Sequence, residues 1–144
     1  MPCNVLIAED SEEDLFFLLQ AMNKSKRLNV MHTVINGREV IDYLTGQGEF
    51  ADRRRFPLPH LLLIDLKMPG CSGLEVLQWL KDHPFPQLMV FLLSGSSSYN
   101  ELKEAERLGV DAFFTKPIRN EQLKNVIDTI EGLMEASPKS ACST

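Results

Sequence analysis

Acidic residues, a serine and a lysine each follow an apolar segment of the chain. Glu9 and Asp10 come directly after the segment NVLIA, and Asp65 ends the segment HLLLID. Ser94 and Lys116 follow two later apolar segments. Carboxylate oxygens suit a hard divalent cation such as Mg²⁺, and a carboxylate can attack phosphorus to form an aspartyl phosphate. Because a metal, a lysine and a hydroxyl would neutralise and position the transferred group, these residue types favour phosphoryl transfer.

Five short apolar segments alternate with five amphipathic ones, and this alternation predicts the elements that position the polar residues. The apolar segments are typical of buried strands and cover residues 4–8, 29–35, 60–65, 88–93 and 110–115. The segments between them carry apolar residues at helical spacing. Strands with little polar alternation, each followed by a helix, predict an α/β fold: five βα units around a parallel sheet that is covered on both faces. Strands 3 and 4 are the most uniformly apolar and are expected at the centre of the sheet.

The predicted fold would gather the polar residues at one place. In an open parallel sheet, ligands bind at the edge formed by the carboxyl ends of the strands, and all five polar residues follow strands at that edge. Three carboxylates that share a site raise the pKa of at least one of them unless a cation is present. A divalent metal removes this conflict, so we expect Mg²⁺ as a cofactor.

The composition is typical of one folded domain. Of the 144 residues, 44% are hydrophobic and 24% are charged, which is close to average globular usage. The formal net charge of −5 lacks the basic footprint of a nucleic-acid binder, so we expect no direct DNA binding. We expect one domain over residues 1–136, with residues 47–59 as a polar surface excursion, and a flexible C-terminal tail over residues 137–144.

The cysteines and the length of the apolar segments bear on the cellular compartment. Cys3, Cys71 and Cys142 are odd in number and widely spaced, which disfavours a disulfide framework and a zinc site and fits a reducing cytoplasm best. No apolar run approaches the ~18 residues that would span a membrane. We therefore expect a cytoplasmic protein without membrane insertion.

With these residues assembled, about residues 4 to 136 closely resemble the receiver domain of response regulators, the family of two-component signalling, and are similar to its single-domain chemotaxis type. The motifs that carry the resemblance stand at successive strand ends. They are Glu9-Asp10, Asp65 with Lys67-Met68-Pro69-Gly70 and Gly73, Ser94-Gly95, and Lys116-Pro117. Each motif alone is weak, but the ordered set is strong. The resemblance implies a flavodoxin-like, doubly wound sheet with strand order 2-1-3-4-5.

The resemblance implies a phosphoacceptor and a metal site. Asp65 would accept a phosphoryl group from the phosphohistidine of a sensor histidine kinase or of a histidine phosphotransfer protein. Mg²⁺ or Mn²⁺ would be bound by Asp10 directly and by Glu9 through water or indirectly. Asp65 itself and the backbone carbonyl of Lys67 would complete the protein ligands.

The resemblance also implies how the phosphoryl group is held and sensed. Lys116 and Ser94 would contact its oxygens, and the peptide bond before Pro117 would be cis. Phosphorylation would pull Ser94 inward, and Phe113 would turn into the vacated space, although Phe113 fits a core aromatic equally well. The face made by helix 4, strand 5 and helix 5 would then bind an output partner or form a homodimer. The long 47–59 segment and the expected absence of an output domain resemble the stand-alone regulators that partner phytochrome-type kinases.

Several features leave the function open at this point. The family more often has Asp, Thr and Tyr where this chain has Glu9, Ser94 and Phe113, and Lys67 and Ser96 would flank the path of attacking water, so the lifetime of the phosphoryl group is not fixed. One alternative is a receiver-like scaffold that acts without phosphorylation. Another is an aspartyl-phosphate phosphatase, which would need an acid where Lys67 stands. Neither G-x-G-x-x-G nor G-x-x-x-x-G-K-[ST] occurs, which argues against a nucleotide-binding domain.

Because Lys67 stands where a phosphatase would need its acid, we expect a signalling phosphoacceptor rather than an enzyme that turns over external substrates.

Overall fold

The computed structural model describes residues 2–95, 98–116 and 121–136. In this part of the chain, strands and helices alternate along the sequence. The strands are β1 Cys3–Ala8, β2 Leu28–Val34, β3 Leu61–Asp65, β4 Met89–Ser94 and β5 Ala112–Thr115. The helices are α1 Glu12–Met22, α2 Gly37–Thr45, α3 Gly73–Asp82, α4 Tyr99–Arg107 and α5 Glu121–Ala136, and a short 3₁₀ turn spans Gly48–Ala51.

All neighbouring strands are parallel, and their order is β2-β1-β3-β4-β5. The predicted α/β fold with flavodoxin-like strand order is therefore confirmed. As predicted, β3 is the central strand and β4 is interior, and every residue of both is buried. The fifth strand begins two residues later than its apolar run. The main chain and side chain of Asp111 instead bond to the main chain of Val90, at 2.9 Å each, just before the strand starts.

Two apolar layers enclose the sheet, because alternate residues of each strand point to opposite faces. Leu62 and Ile64 of β3 pack in the layer under α2, α3 and α4, whereas Leu61 and Leu63 pack in the layer under α1 and α5. Phe113 of β5 is half-buried and packs against the first of these layers. The ends of the strands are therefore held in place by packing on both faces of the sheet.

Helix α3 begins directly against the end of β3. A Cβ atom on Gly73 would lie 2.6 Å from the carbonyl oxygen of Asp65 and 2.9 Å from the Cα of Leu66. The Gly73 N–H donates to the Leu66 carbonyl at 2.9 Å, and Ser72 caps the helix by accepting from the Glu75 N–H. Glycine is needed here because any side chain would push the helix away from Asp65.

The connection between α2 and β3 is better packed than its polar sequence suggests. We call the rings of His32, Tyr43, Phe50 and Phe56 the aromatic box; their centroids lie 4.9–6.0 Å apart. Arg53 closes the box by donating to the main-chain carbonyls of Tyr43 (2.8 Å), Leu44 (2.9 Å) and Phe56 (3.1 Å). The connection therefore has a small aromatic core of its own.

Cys3 is disulfide-bonded and Cys71 is a free thiol, so the odd count of cysteines did not exclude an individual disulfide. Among the described residues, no helix is both long and apolar enough to cross a membrane. Ser96, Pro117 with its predicted cis bond, and the predicted tail over residues 137–144 lie outside the described residues.

Candidate functional site

The predicted polar residues meet at the carboxyl edge of the sheet. Asp65 is the last residue of β3 and Ser94 the last of β4, while Glu9 directly follows β1 and Lys116 directly follows β5. Glu9, Asp65 and Ser94 are the buried polar residues of the described chain, at 1%, 6% and 1% exposure. Asp10 is exposed beside them.

Lys116 lies at the centre of the acidic residues. Its Nζ donates to Glu9 Oε2 at 2.8 Å and to Asp65 Oδ2 at 3.1 Å, and the lysine side chain is only 13% exposed. A third carboxylate, Asp14 Oδ2, accepts from Nζ at 2.9 Å. Burial lowers the pKa of Lys116, but its hydrogen bonds to Glu9 and Asp14, together with the negative charges of Glu9 and Asp65, outweigh burial, so the net pKa is raised. The lysine is therefore a permanent cation of the site.

The burial of Glu9 disfavours its charged form. Burial raises its pKa to about 7, with a smaller increase from the charge of Asp65, although hydrogen bonds from Lys116 and from the Ser11 N–H lower it. The Ser11 N–H reaches Glu9 Oε1 at 3.0 Å. The hydrogen bond and charge of Lys116 thus do not fully offset the burial of Glu9, so a further positive charge would stabilise the Glu9 carboxylate.

Three carboxylates are close enough to share a metal ion. Ligand oxygens of Glu9, Asp10 and Asp65 lie within 4.8 Å of one another. An all-oxygen set of acidic ligands fits Mg²⁺ or Mn²⁺ rather than a softer metal. The raised pKa of Glu9 agrees with this, since a divalent ion beside it would stabilise the charged carboxylate that burial and, to a smaller extent, the charge of Asp65 disfavour.

Asp65 is held from both sides. The Lys67 N–H donates to Asp65 Oδ1 at 3.2 Å, while Lys116 holds Oδ2. The exposed side chain of Lys67 points to helix α4, where its Nζ lies 4.0 Å from Glu101 Oε1. The role of the Lys67 carbonyl as a metal ligand stays a prediction.

Ser94 carries the clearest sign of a missing contact. Its Oγ is buried and has no hydrogen-bond partner among the described residues. A buried hydroxyl without a partner costs about 1–3 kcal/mol, so its presence calls for a ligand that completes it. The carbonyl of the same residue accepts from the Lys116 N–H at 2.7 Å, which fixes the hydroxyl and the lysine side by side.

Asp14 is a site residue that the sequence analysis did not single out. Its local contact is that of a residue at the start of helix α1, because its N–H donates to the Ser11 hydroxyl at 3.3 Å. Its side chain nevertheless reaches Lys116. A signal was present, because Asp14 lies one helical turn before the buried Leu18 and therefore on the inner side of the helix.

The chain belongs to the response regulator receiver domain family, whose model matches residues 5–128. Response regulator Rcp1 of Synechocystis is 26% identical over 133 residues, which cover 92% of this chain and 86% of Rcp1. The cyclic-nucleotide phosphodiesterase regA of Dictyostelium discoideum is 31% identical over 130 residues, but these cover only 15% of that protein. The chain thus spans most of one relative and a small part of the other.

Solved structures show the same fold over nearly the whole chain. The phosphorylated cyanobacterial phytochrome response regulator RcpA superposes with a TM-score of 0.76 at 27% identity, covering 94% of this chain and 93% of RcpA. Response regulator RPA3017, from red light signalling of R. palustris, gives 0.75 at 31% identity over 98% of this chain and 96% of its own. The Mn²⁺-bound form of Rcp1 gives 0.72 at 26% identity, with 94% of each chain covered. The protein is a receiver-domain response regulator with phytochrome-associated homologues.

Proposed function

We propose that the protein receives a phosphoryl group on Asp65 from a histidine kinase or a histidine phosphotransfer protein. The observation that carries this proposal is the arrangement around Asp65. Lys116 and the Lys67 N–H hold its two oxygens, and next to it the Ser94 hydroxyl is buried without a partner among the described residues. A phosphoryl group on Asp65 would supply the oxygens that this hydroxyl lacks.

In the proposed transfer, one carboxylate oxygen of Asp65 forms a bond to phosphorus as the phosphorus–nitrogen bond of the phosphohistidine breaks. The electron pair of that bond stays on the imidazole nitrogen. The products are an acyl phosphate on Asp65 and a free histidine on the donor. Lys116 and Ser94 would stabilise the negative charge on the transferred oxygens by donating hydrogen bonds.

We further propose that Glu9, Asp10, Asp65 and the Lys67 carbonyl hold Mg²⁺ or Mn²⁺. A bound divalent ion would neutralise part of the phosphoryl charge. The close approach of the three carboxylates supports this proposal, and so does the manganese bound by the homologous Rcp1.

The output of the proposed reaction is a change of surface. Ser94 ends β4, and Phe113 lies on the neighbouring β5, paired with Leu92. Movement of Ser94 toward a phosphoryl oxygen would open space that the half-buried Phe113 can enter, which would change the face formed by α4, β5 and α5. We propose this face as the surface for an output partner or for a homodimer.

The similarity to the cyanobacterial phytochrome response regulator RcpA, and to RPA3017 of red light signalling, suggests the kind of kinase. We propose a phytochrome-type sensor histidine kinase as the donor. Transfer from such a kinase, autophosphorylated in vitro, should be faster than transfer from an unrelated histidine kinase, as measured by loss of label from the kinase.

The central test is to incubate the protein with acetyl phosphate and Mg²⁺ and to measure its intact mass. We expect an acid-labile adduct with the mass of one phosphoryl group on the wild type and on the exposed control Asp82→Asn, but not on Asp65→Asn. A wild type without an adduct would contradict phosphorylation and favour a phosphorylation-independent scaffold. Steady release of inorganic phosphate from generic esters would instead indicate a phosphatase.

A further inference from the structure

The ammonium group of Lys116 has no free hydrogen-bond donor. It carries three N–H bonds, and three carboxylate oxygens lie at hydrogen-bond distance, those of Glu9 (2.8 Å), Asp14 (2.9 Å) and Asp65 (3.1 Å). A phosphoryl oxygen can therefore bind Lys116 only if one of these carboxylates releases its N–H.

Asp14 differs from the other two carboxylates that contact Lys116. Glu9 and Asp65 are buried and belong to the group of acids that can share a metal ion, whereas Asp14 does not belong to that group. The Asp14 side chain is 32% exposed, so water can solvate it after the lysine has turned away. Breaking the contact of Lys116 with Asp14 therefore costs less than breaking its contact with Glu9 or Asp65. Asp14 also keeps its negative charge throughout, since it neither binds the metal nor carries the phosphoryl group.

Helix α1 fixes Asp14 beside Lys116. The Asp14 N–H donates to the hydroxyl of Ser11, the N-cap of the helix, and the Ser11 N–H donates to Glu9 Oε1. Asp14 and Glu9 are therefore attached to one short turn and reach the same ammonium group from it. This makes the contact between Asp14 and Lys116 a built feature of the turn rather than a chance approach of a long side chain.

We propose that Asp14 is a positioning residue that restrains Lys116, and that a phosphoryl group on Asp65 has to displace Asp14 from the lysine. This inference rests on the proposed phosphorylation of Asp65. The Asp14 carboxylate opposes the phosphoryl group in two ways, since it competes for the same N–H and its charge repels the phosphoryl oxygens. Asp14 therefore weakens phosphoryl binding and shortens the time that the group is held.

The test measures the affinity of the full chain for beryllofluoride in saturating Mg²⁺, by titration followed in amide spectra. Asp14→Asn keeps the shape of the side chain but removes its charge. We expect it to bind beryllofluoride about two- to fivefold more tightly, the range of a partly exposed ion pair, and to lose the phosphoryl group more slowly by a similar factor. Glu12→Gln is the matched control, because Glu12 is an exposed acid in the same helical turn.

The comparison with Mg²⁺ alone separates positioning from a general change of charge. We expect Asp14→Asn and Glu12→Gln to change Mg²⁺ affinity equally, and only Asp14→Asn to tighten beryllofluoride binding. Asp14→Glu, which keeps the charge, should stay near the wild type. Asp14→Ser, which removes the charge, should tighten beryllofluoride binding as Asp14→Asn does and serves if the amide variant folds poorly. If beryllofluoride binds Asp14→Asn no more tightly than Glu12→Gln, the inference is wrong while the proposed function stands. If the wild type itself does not bind beryllofluoride, the proposed function fails as well.

Discussion

Lys116 and Arg53 are both partly buried cations with three close acceptors, but the acceptors differ in kind. Arg53, beside the aromatic box, donates to three main-chain carbonyls, including two in the last turn of α2. Lys116 donates to three carboxylates, each on a different element or loop. Main-chain carbonyls are neutral and fixed in place, whereas a carboxylate can bind a metal, a proton or a phosphoryl group instead.

The comparison shows how a structural cation differs from a functional one. Around Arg53, the rings pack against one another and the Tyr43 hydroxyl donates to the Pro57 carbonyl at 3.0 Å, so this region is satisfied as it stands. Around Lys116, the pKa of Glu9 is raised to about 7 and the Ser94 hydroxyl lacks a partner among the described residues. The unsatisfied region is the one that a ligand can stabilise.

The largest expected effect separates the two cations directly. Lys116→Ala should weaken beryllofluoride binding in Mg²⁺ by about 10- to 100-fold, because a hydrogen bond to a charged group is lost. The same variant should bind Mg²⁺ at least as tightly as the wild type, since a competing cation has left the acids. Titration of each ligand checks both directions. Lys26→Ala, which removes an exposed lysine, is the control, and equal loss in both variants would show that Lys116 acts only through net charge.

The second prediction concerns the pH dependence of stability and the raised pKa of Glu9. The native state holds a proton on Glu9 up to about pH 7, whereas the unfolded chain releases it near the ordinary glutamate pKa of 4.5. Between these values the native state binds more protons, so its contribution to stability is present at low pH and is lost as pH rises. We expect a loss of about 2 to 3 kcal/mol across this window in metal-free protein, measured by urea unfolding. Lys116 is charged in both the native and the unfolded state over this pH range, so it does not contribute to the pH dependence of stability.

The contribution of Glu9 is isolated by difference. Subtracting the unfolding free energies of Glu9→Gln from those of the wild type should reveal the decline with pH, and saturating Mg²⁺ should reduce it because the metal replaces the proton. The exposed Glu49→Gln should leave the pH profile of the wild type unchanged. If the difference in unfolding free energy between the wild type and Glu9→Gln did not change with pH, burial would not raise the pKa of Glu9.

The smallest effect is expected at the structural cation. Arg53→Ala should lower the free energy of unfolding by about 2 kcal/mol, because it leaves carbonyls at the end of α2 without their donor. Its affinity for beryllofluoride should equal that of the wild type. Arg54→Ala, at the exposed neighbouring position, should be near neutral in stability. If Arg53→Ala changed phosphoryl binding, the aromatic box would be coupled to the site and the distinction between the two cations would disappear.

The sequence predicted the sheet and most of the site for the same reason. Short apolar runs such as residues 61–64, alternating with amphipathic segments, favour buried strands in a parallel sheet, and parallel strands end at one edge. Asp65, Ser94 and Lys116 therefore had to approach one another once the strand order was known. Their individual hydrogen bonds and the missing partner of Ser94 depend on side-chain positions that no sequence pattern encodes.

The features that the sequence did not predict rest on contacts between distant segments. The polar composition of residues 47–59 concealed Phe50 and Phe56, which pack on Tyr43 from α2 and on His32 from β2. Asp14 has a local contact with Ser11 that explains its place at the start of α1, whereas its contact with Lys116 joins residues 102 positions apart.

The main-chain bond from the Lys116 N–H to the Ser94 carbonyl joins two strand ends mechanically. If Ser94 moved toward a ligand, this bond would draw the backbone of Lys116 with it, and the hydroxyl and the ammonium would move together. The same movement would displace the end of β5, a strand of four residues at the edge of the sheet that pairs only with β4 among the described strands.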